Sequence, residues 1–270
     1  IQGEQKIITL SRLFDLSGRT ALITGGVGHL GRTFASTLLE MGAHVALLDV
    51  CTDTPKAAQA LCADGRAKLF TADLEHEESL RAAFAAALAW GARLDILINN
   101  AAFVGTSNLT GWGVPFEQQE SGTFRRAIEV NLTAAFTLCQ LAAPHLRESG
   151  HGVIVNIASI YGIVGPDNRL YDGTPMGNPV AYGASKAGLL QLTRHLATTL
   201  APHIRVNAIT PGGVERGQPP AFQERYRART PIGRMATEQD FCGALAYLAS
   251  DASAYVTGHN LIVDGGWSAW

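Results

Sequence analysis

Seven short Val, Ile and Leu-rich runs alternating with helical patterns predict an α/β protein: one doubly wound parallel sheet of about seven strands with helices on both faces. Two further observations agree. The apolar runs are continuous rather than alternating, which suits strands covered on both sides. A glycine-rich turn, TGGVGHLGR at 24–32, stands between the first strand and the first helix.

The strands are read at 20–24, 44–50, 67–73, 94–100, 152–159, 204–212 and 260–266, and the helices near 30–41, 55–63, 77–90, 117–148, 181–200 and 237–249. No linker or internal repeat divides them. Residues 19–270 are therefore read as a single domain, and 1–18 as a leading arm.

Composition narrows the function. The 270 residues are 47% hydrophobic, with 29 glycines spread along the chain, as a sizeable core with many tight turns requires. A net charge of −2 without a Lys/Arg block gives no electrostatic footprint for nucleic acid, and none is expected as a partner. Nor is a membrane: the Ala-rich stretch 82–98 is interrupted by Arg93 and Asp95, well short of a spanning segment. Residues 1–19 lack the ordered basic, apolar and small-residue regions of a secretory signal. Cys51, Cys62, Cys139 and Cys242 stand far apart with no CxxC pair, which reads as reduced, packed thiols in a cytoplasmic protein. The histidines have no metal-ligand spacing, so no metal is expected.

The turn at 24–32 can bring the backbone close to a pyrophosphate, whose charge suits the free amides and the dipole of the following helix. Gly25, Gly28 and Gly31, with His29 and Leu30 between the last two, form this cradle. Asp49 closes the second strand. A carboxylate there accepts hydrogen bonds from adenosine ribose hydroxyls and repels a 2′-phosphate, so Asp49 points to NAD over NADP. A solvated strand-end Asp is the ordinary alternative, and Arg32 just past the turn is a counter-signal.

Tyr182 and Lys186 are four apart on a predicted helix and share one face. A phenol titrates near 10, so a cation beside it is expected to favour the phenolate and bring an acid/base group towards neutral pH. Taken singly, a Tyr/Lys pair is an ordinary helix-surface pair, Ser159 a strand-end turn residue and Asn131 a buried backbone partner.

Together and in order, the turn at 24–31, Asp73, NNAA at 99–102, Asn131 in VNL, Ser159, YGASK at 182–186, RVNAITPGG at 205–213 and VDGG at 263–266 carry a family resemblance. Over about residues 13–266 the chain resembles the short-chain dehydrogenases/reductases. The resemblance implies a Rossmann-like fold and a catalytic set of Asn131, Ser159, Tyr182 and Lys186. Ser159 would steady the substrate oxygen, Tyr182 exchange the hydroxyl proton, Lys186 hold the nicotinamide ribose and Asn131 place a water leading from Lys186 to solvent. It also implies cofactor contacts from Asp73, Leu74, Asn100, Ala101, Ala102, Tyr182, Lys186, Pro211, Gly212 and Val214, and assembly as a homotetramer or homodimer.

Three positions depart from the family pattern. His29 occupies a usual glycine, and the remaining glycines permit a close turn with its side chain pointing away from the pyrophosphate. Arg216 stands in Val214-Glu215-Arg216-Gly217, where relatives often carry a phosphate-contacting Thr. Its role is left open between cofactor, substrate and solvent. Ala102 replaces a common glycine.

Residues 160–181 make the interval between Ser159 and Tyr182 longer than the family usually shows. Both ends must reach one substrate oxygen, so the extra chain is expected to loop over the pocket mouth. It offers Asp167, Asn168, Arg169 and Tyr171 as substrate contacts, with Asp172, Thr174 and Asn178 among further polar groups. A polar, polyhydroxylated, sugar-like small molecule is the substrate this favours. The stretch is also similar to family members in surface-polysaccharide and nonulosonate sugar pathways. The expected function is hydride transfer between NAD(H) and a secondary alcohol or ketone. Reduction of a 3-oxoacyl or other apolar ketone is the alternative within the family, and a non-catalytic NAD-binding regulatory or scaffold protein the alternative of another class.

Overall fold

Each apolar run of the sequence becomes a strand of one parallel sheet: β1 Thr20–Thr24, β2 His44–Asp49, β3 Ala67–Thr71, β4 Ile96–Asn99, β5 Gly152–Ile157, β6 Ile204–Pro211 and β7 Asn260–Val263. The structure is a computed structural model and describes residues 9–52, 55–104 and 107–270. The sheet order is β3-β2-β1-β4-β5-β6-β7. The chain therefore winds outward from β1 to β3, then returns to the centre and winds the other way from β4. That reversal opens a crevice beyond the carboxyl ends of β1 and β4, where doubly wound sheets bind ligands.

The helices are α1 Leu10–Leu13, α2 His29–Glu40, α3 Lys56–Gln59, α4 Glu77–Gly91, α5 Ser121–Ile128, α6 Ala134–Ser149, α7 Val180–Thr199, α8 Pro220–Arg229 and α9 Cys242–Ala249. Alternate strand residues face opposite layers, as the period of two dictates. Ile23, Leu47, Ile98 and Val155 pack against Phe34 and Leu38 of α2 and Leu245 and Leu248 of α9. Their neighbours Leu22, Leu48, Leu97 and Ile154 pack against Leu80 and Phe84 of α4 and Leu138 and Leu146 of α6. Each fully buried Leu or Phe contributes roughly 1.5–3 kcal/mol, so these two layers dominate the stabilisation. A buried polar chain adds register rather than bulk: Asn99 Nδ2 donates to Asn156 Oδ1 at 2.8 Å, and Asn156 Nδ2 to Thr193 Oγ1 at 2.9 Å.

Several sequence expectations change. The long helix read over 117–148 is a 3₁₀ turn at Phe116–Gln118, then α5 and α6 joined by a π-helical turn, Glu129–Thr133. The helix α8 was not expected at all, although Pro220 at its first turn and the Phe222/Tyr226 pair at i, i+4 are local signals for it. Residues 1–8 of the leading arm lie outside the described residues. The end of the arm is part of the domain: Leu16 is fully buried, and its N–H donates to Met41 O at 2.8 Å.

Candidate active site

The glycine turn sits where the crevice predicts. Gly25 adopts φ +62°, and a Cβ there would come within 3.0 Å of Ala101 Cα. A Cβ on Gly31 would collide with the Gly25 carbonyl oxygen. Gly28 caps α2 with no side-chain acceptor, leaving the first-turn amides available to an anion. The turn is thus shaped for the close approach of a diphosphate. Gly31→Ala is expected to weaken NADH binding at least tenfold and to lower the melting temperature, as read by nicotinamide fluorescence and calorimetry; unchanged binding would remove the turn from the cofactor site.

Two cavities flank this turn. One, of about 320 Å³, is lined by Gly25, Asp49, Asp73, Leu74, Ala101 and Ala102 together with Glu75, Phe103 and Val130. Asp49 Oδ2 accepts the Val27 N–H at 3.1 Å, which locks the turn to the end of β2. The second, of about 470 Å³, gathers His29, Leu30, Asn100, Ala102, Ser159, Tyr182, Lys186, Pro211, Gly212 and Val214. Its size suits a small ligand. A more open groove of about 640 Å³, between the arm, α2 and α9, contains none of these groups. Asn100 works within the turn: its Nδ2 donates to Thr24 O at 2.9 Å and to Gly25 O at 3.2 Å.

Ser159 ends the run from β5, and Tyr182 and Lys186 lie in the first turns of α7. Pro179 before the helix and its apolar face bring both side chains to the end of the sheet. Lys186 is 2% exposed, and its Nζ donates to Ile157 O at 2.7 Å. Burial depresses its ammonium to about 8. Burial also pushes the Tyr182 phenol up, while the Ser159 hydroxyl and the Arg216 charge pull it down. Burial thus moves both groups towards their neutral forms, against the expectation of a phenol lowered by Lys186 alone. Nζ stands 5.9 Å from the Tyr182 ring centre and is committed to the backbone carbonyl.

Asn131 does not line the cavity. It sits on the π-helical turn, 1% exposed, with Oδ1 accepting the Phe103 N–H at 2.7 Å and Nδ2 donating to Phe103 O at 3.2 Å and Ser185 Oγ at 3.0 Å. Both amide hydrogens are thus engaged, and the side chain ties the loop after β4 to the residue preceding Lys186.

The expected rim divides. Tyr171 lines the catalytic cavity, joined from the same segment by Tyr161, Met176 and Asn178. Tyr161 and Tyr171 hydroxyls are 2.8 Å apart, and Asn178 Nδ2 donates to Tyr171 OH at 3.3 Å. Asp167, Asn168 and Arg169 stand outside it, a correction to the expected substrate contacts. Asp167 is taken up by Arg169 Nη2 at 2.8 Å and by Arg229 Nη1 at 2.9 Å, and the Arg169 side chain is 82% exposed. His29 borders the cavity, with Nδ1 3.9 Å from Glu238 Oε1. Phe222, Tyr226 and Met235, which the sequence did not point to, complete the wall.

A dinucleotide turn beside a buried Ser159 and Lys186 and a partly buried Tyr182 defines the class: a nicotinamide-dependent oxidoreductase of Rossmann architecture. The family model described as enoyl-(acyl carrier protein) reductase matches residues 26–268, and the chain belongs to that family and, with it, to the short-chain dehydrogenases/reductases. It is 35% identical to cis-4-hydroxycyclohexanecarboxylate dehydrogenase of Sinomonas cyclohexanicum, over 93% of this chain and 97% of the relative. A short-chain dehydrogenase from Leptospira borgpetersenii solved with bound NAD+ superposes with a TM-score of 0.84 at 31% identity, covering 99% of both chains. A gluconate 5-dehydrogenase from Burkholderia cenocepacia, solved with NADP and tartrate, superposes with a TM-score of 0.85 at 30% identity, covering 97% of this chain and all of that one. Among the described residues no helix is long and apolar enough to cross a membrane.

Proposed function

We propose that the protein is an NAD(H)-dependent dehydrogenase of a secondary alcohol carried on a polar, hydroxylated small molecule. The observation that carries this reading is the convergence of Ser159, Tyr182 and Lys186 in one cavity beside the dinucleotide turn. A bound nicotinamide would supply the carbon that accepts or gives the hydride, and a positive charge when oxidised. The side chains do the rest. Ser159 orients the substrate oxygen, Tyr182 takes its proton in oxidation and returns it in reduction, and Lys186 with Asn131 supports that geometry from behind. Tyr161, Tyr171 and Asn178 offer hydrogen bonds to further hydroxyls, while Phe222 and Met235 face the apolar side of a ring.

NAD is favoured over NADP by Asp49, whose cavity also holds Asp73 and Glu75, an acidic setting for a 2′-phosphate. Asp49→Asn keeps an acceptor for the Val27 N–H but removes the charge. It is expected to raise NADPH affinity about tenfold, a gain of roughly 1.4 kcal/mol, with a smaller change for NADH. Wild-type protein that binds NADPH more tightly than NADH would overturn the preference. The exposed Phe124, Phe136 and Val180 on α5, α6 and α7 support a homo-oligomer, tested by light scattering. A cytoplasmic location is the accompanying proposal, on the four separate thiols. The whole reading is tested by a panel of cyclic hydroxy acids, polyols, sugars, sterols and acyl thioesters with NAD+ and NADH; better turnover of the last two classes would sink the polar-substrate assignment.

A further inference from the structure

Arg216 occupies the position at which the family often carries a small polar residue, and it brings a cation to the catalytic cavity. Its backbone is fixed, since its N–H donates to Gln218 Oε1 at 2.8 Å. Its Nε donates to Glu238 Oε1 at 3.0 Å, which holds one edge of the guanidinium. No described residue accepts a hydrogen bond from either Nη atom. The side chain is 34% exposed, so this edge is open to a ligand entering from solvent. It lines the same cavity as Ser159, Tyr182 and Lys186.

Glu238 is the carboxylate paired with Arg216, on the Nε edge. Among the described residues that line this cavity there is no Asp or Glu. Lys186, which is buried, is committed to Ile157 O. The remaining polar side chains of the wall are His29, the hydroxyls of Ser159, Tyr161, Tyr171, Tyr182 and Tyr226, and the amides of Asn100, Asn178 and Gln218. A neutral polyol would gain little from an unshared guanidinium edge. A carboxylate matches its paired, parallel donors.

We propose that Arg216 binds a carboxylate borne by the substrate, so that the substrate is a hydroxylated carboxylic acid whose secondary alcohol meets Ser159 and Tyr182. This rests on the dehydrogenase reading above and adds the charge of the substrate and the residue that selects it. The cofactor diphosphate is the competing anion, and the test separates the two.

Wild type, Arg216→Gln and Arg216→Lys are compared on cis-4-hydroxycyclohexanecarboxylate and its methyl ester, by calorimetric titration of each onto the protein saturated with NADH and by steady-state oxidation with NAD+. Wild type is expected to bind the acid more tightly than the ester. Arg216→Gln is expected to lose roughly 10- to 100-fold in affinity and KM for the acid, with kcat changed less than threefold, ester binding unchanged and NADH affinity retained. Arg216→Lys is expected to recover part of the acid affinity as a point charge. Equal binding of acid and ester by wild type overturns the proposal, as does a tenfold loss of NADH affinity in Arg216→Gln with an unchanged acid-to-ester ratio, which assigns Arg216 to the diphosphate. Arg216-dependent acid binding without turnover supports the anion site and counts against the dehydrogenase reading instead.

Discussion

Tyr182→Phe is expected to lower kcat by about a thousandfold in either direction while leaving NADH affinity within about twofold, because it removes the phenolic hydroxyl and with it the exchangeable proton. Every other contact of the ring persists: it packs in the small cluster with Trp112, Ala127 and Ala181. Steady-state rates with nicotinamide absorbance measure the first quantity and fluorescence titration the second. Turnover within tenfold of wild type would reject Tyr182 as the acid/base. The buried phenol also sets the shape of the pH profiles. Burial raises it above its ordinary value near 10, so the proton-donating form persists across neutral pH. Reduction is therefore expected to stay flat to alkaline pH, and oxidation to climb with pH as the accepting form appears. A falling oxidation rate between pH 7 and 9 would contradict that sign.

Lys186→Met is expected to cut kcat/KM about a hundredfold or more and, at the same time, to change how stability depends on pH. The folded ammonium titrates at about 8 against 10.5 for the ordinary side chain. Between those values the unfolded chain binds more protons than the folded one, so wild-type stability rises with pH there; below about 8 both states are protonated and the folded state carries the full cost. That cost is about 3 kcal/mol. Methionine of similar length carries no charge, so the stability difference between variant and wild type is expected to shift by about 3 kcal/mol in favour of wild type as pH rises from 8 to 10.5. Urea unfolding at pH 7, 8, 9 and 10 measures it. Parallel curves for the two proteins would show that Lys186 is not desolvated. Tyr182 has the opposite sign, losing stability above pH 10, and does so in both proteins. A cost retained at the centre of the site is the usual sign that function, rather than stability, holds the residue there.

The central strands were legible because a buried parallel strand announces itself within a few residues, as in Ala21 to Ile23 or Val153 to Ile157, and the part-exposed edge strands β3 and β7 kept enough apolar residues to be read with them. The Tyr182/Lys186 pair was legible for the same reason: i and i+4 share a face in any helix, wherever that helix lies. The π-helical turn that presents Asn131 was not, since its period differs from that of α5 and α6 by a single hydrogen-bond step. Helix α8 was missed although its Pro220 start was visible, because a largely polar segment carries no apolar period to count.

The chain by itself determined the sheet, the place of the dinucleotide turn and the shared face of Tyr182 and Lys186, which follow from spacings of a few residues, while its resemblance to the family pointed to Ser159. Only the tertiary structure decided which of the loop residues line the cavity. Asp167, Asn168, Arg169 and Tyr171 are neighbours with equal claims in sequence. Arg229, 62 positions away, draws Asp167 off to the outside, while Phe222 of α8 stacks against Tyr171 at the cavity with ring centres 5.3 Å apart. Arg216 gained its meaning in the same way. Local periodicity records which face of an element is apolar, whereas a pocket wall is a sum of contacts between distant segments, and those are fixed only when the layers pack.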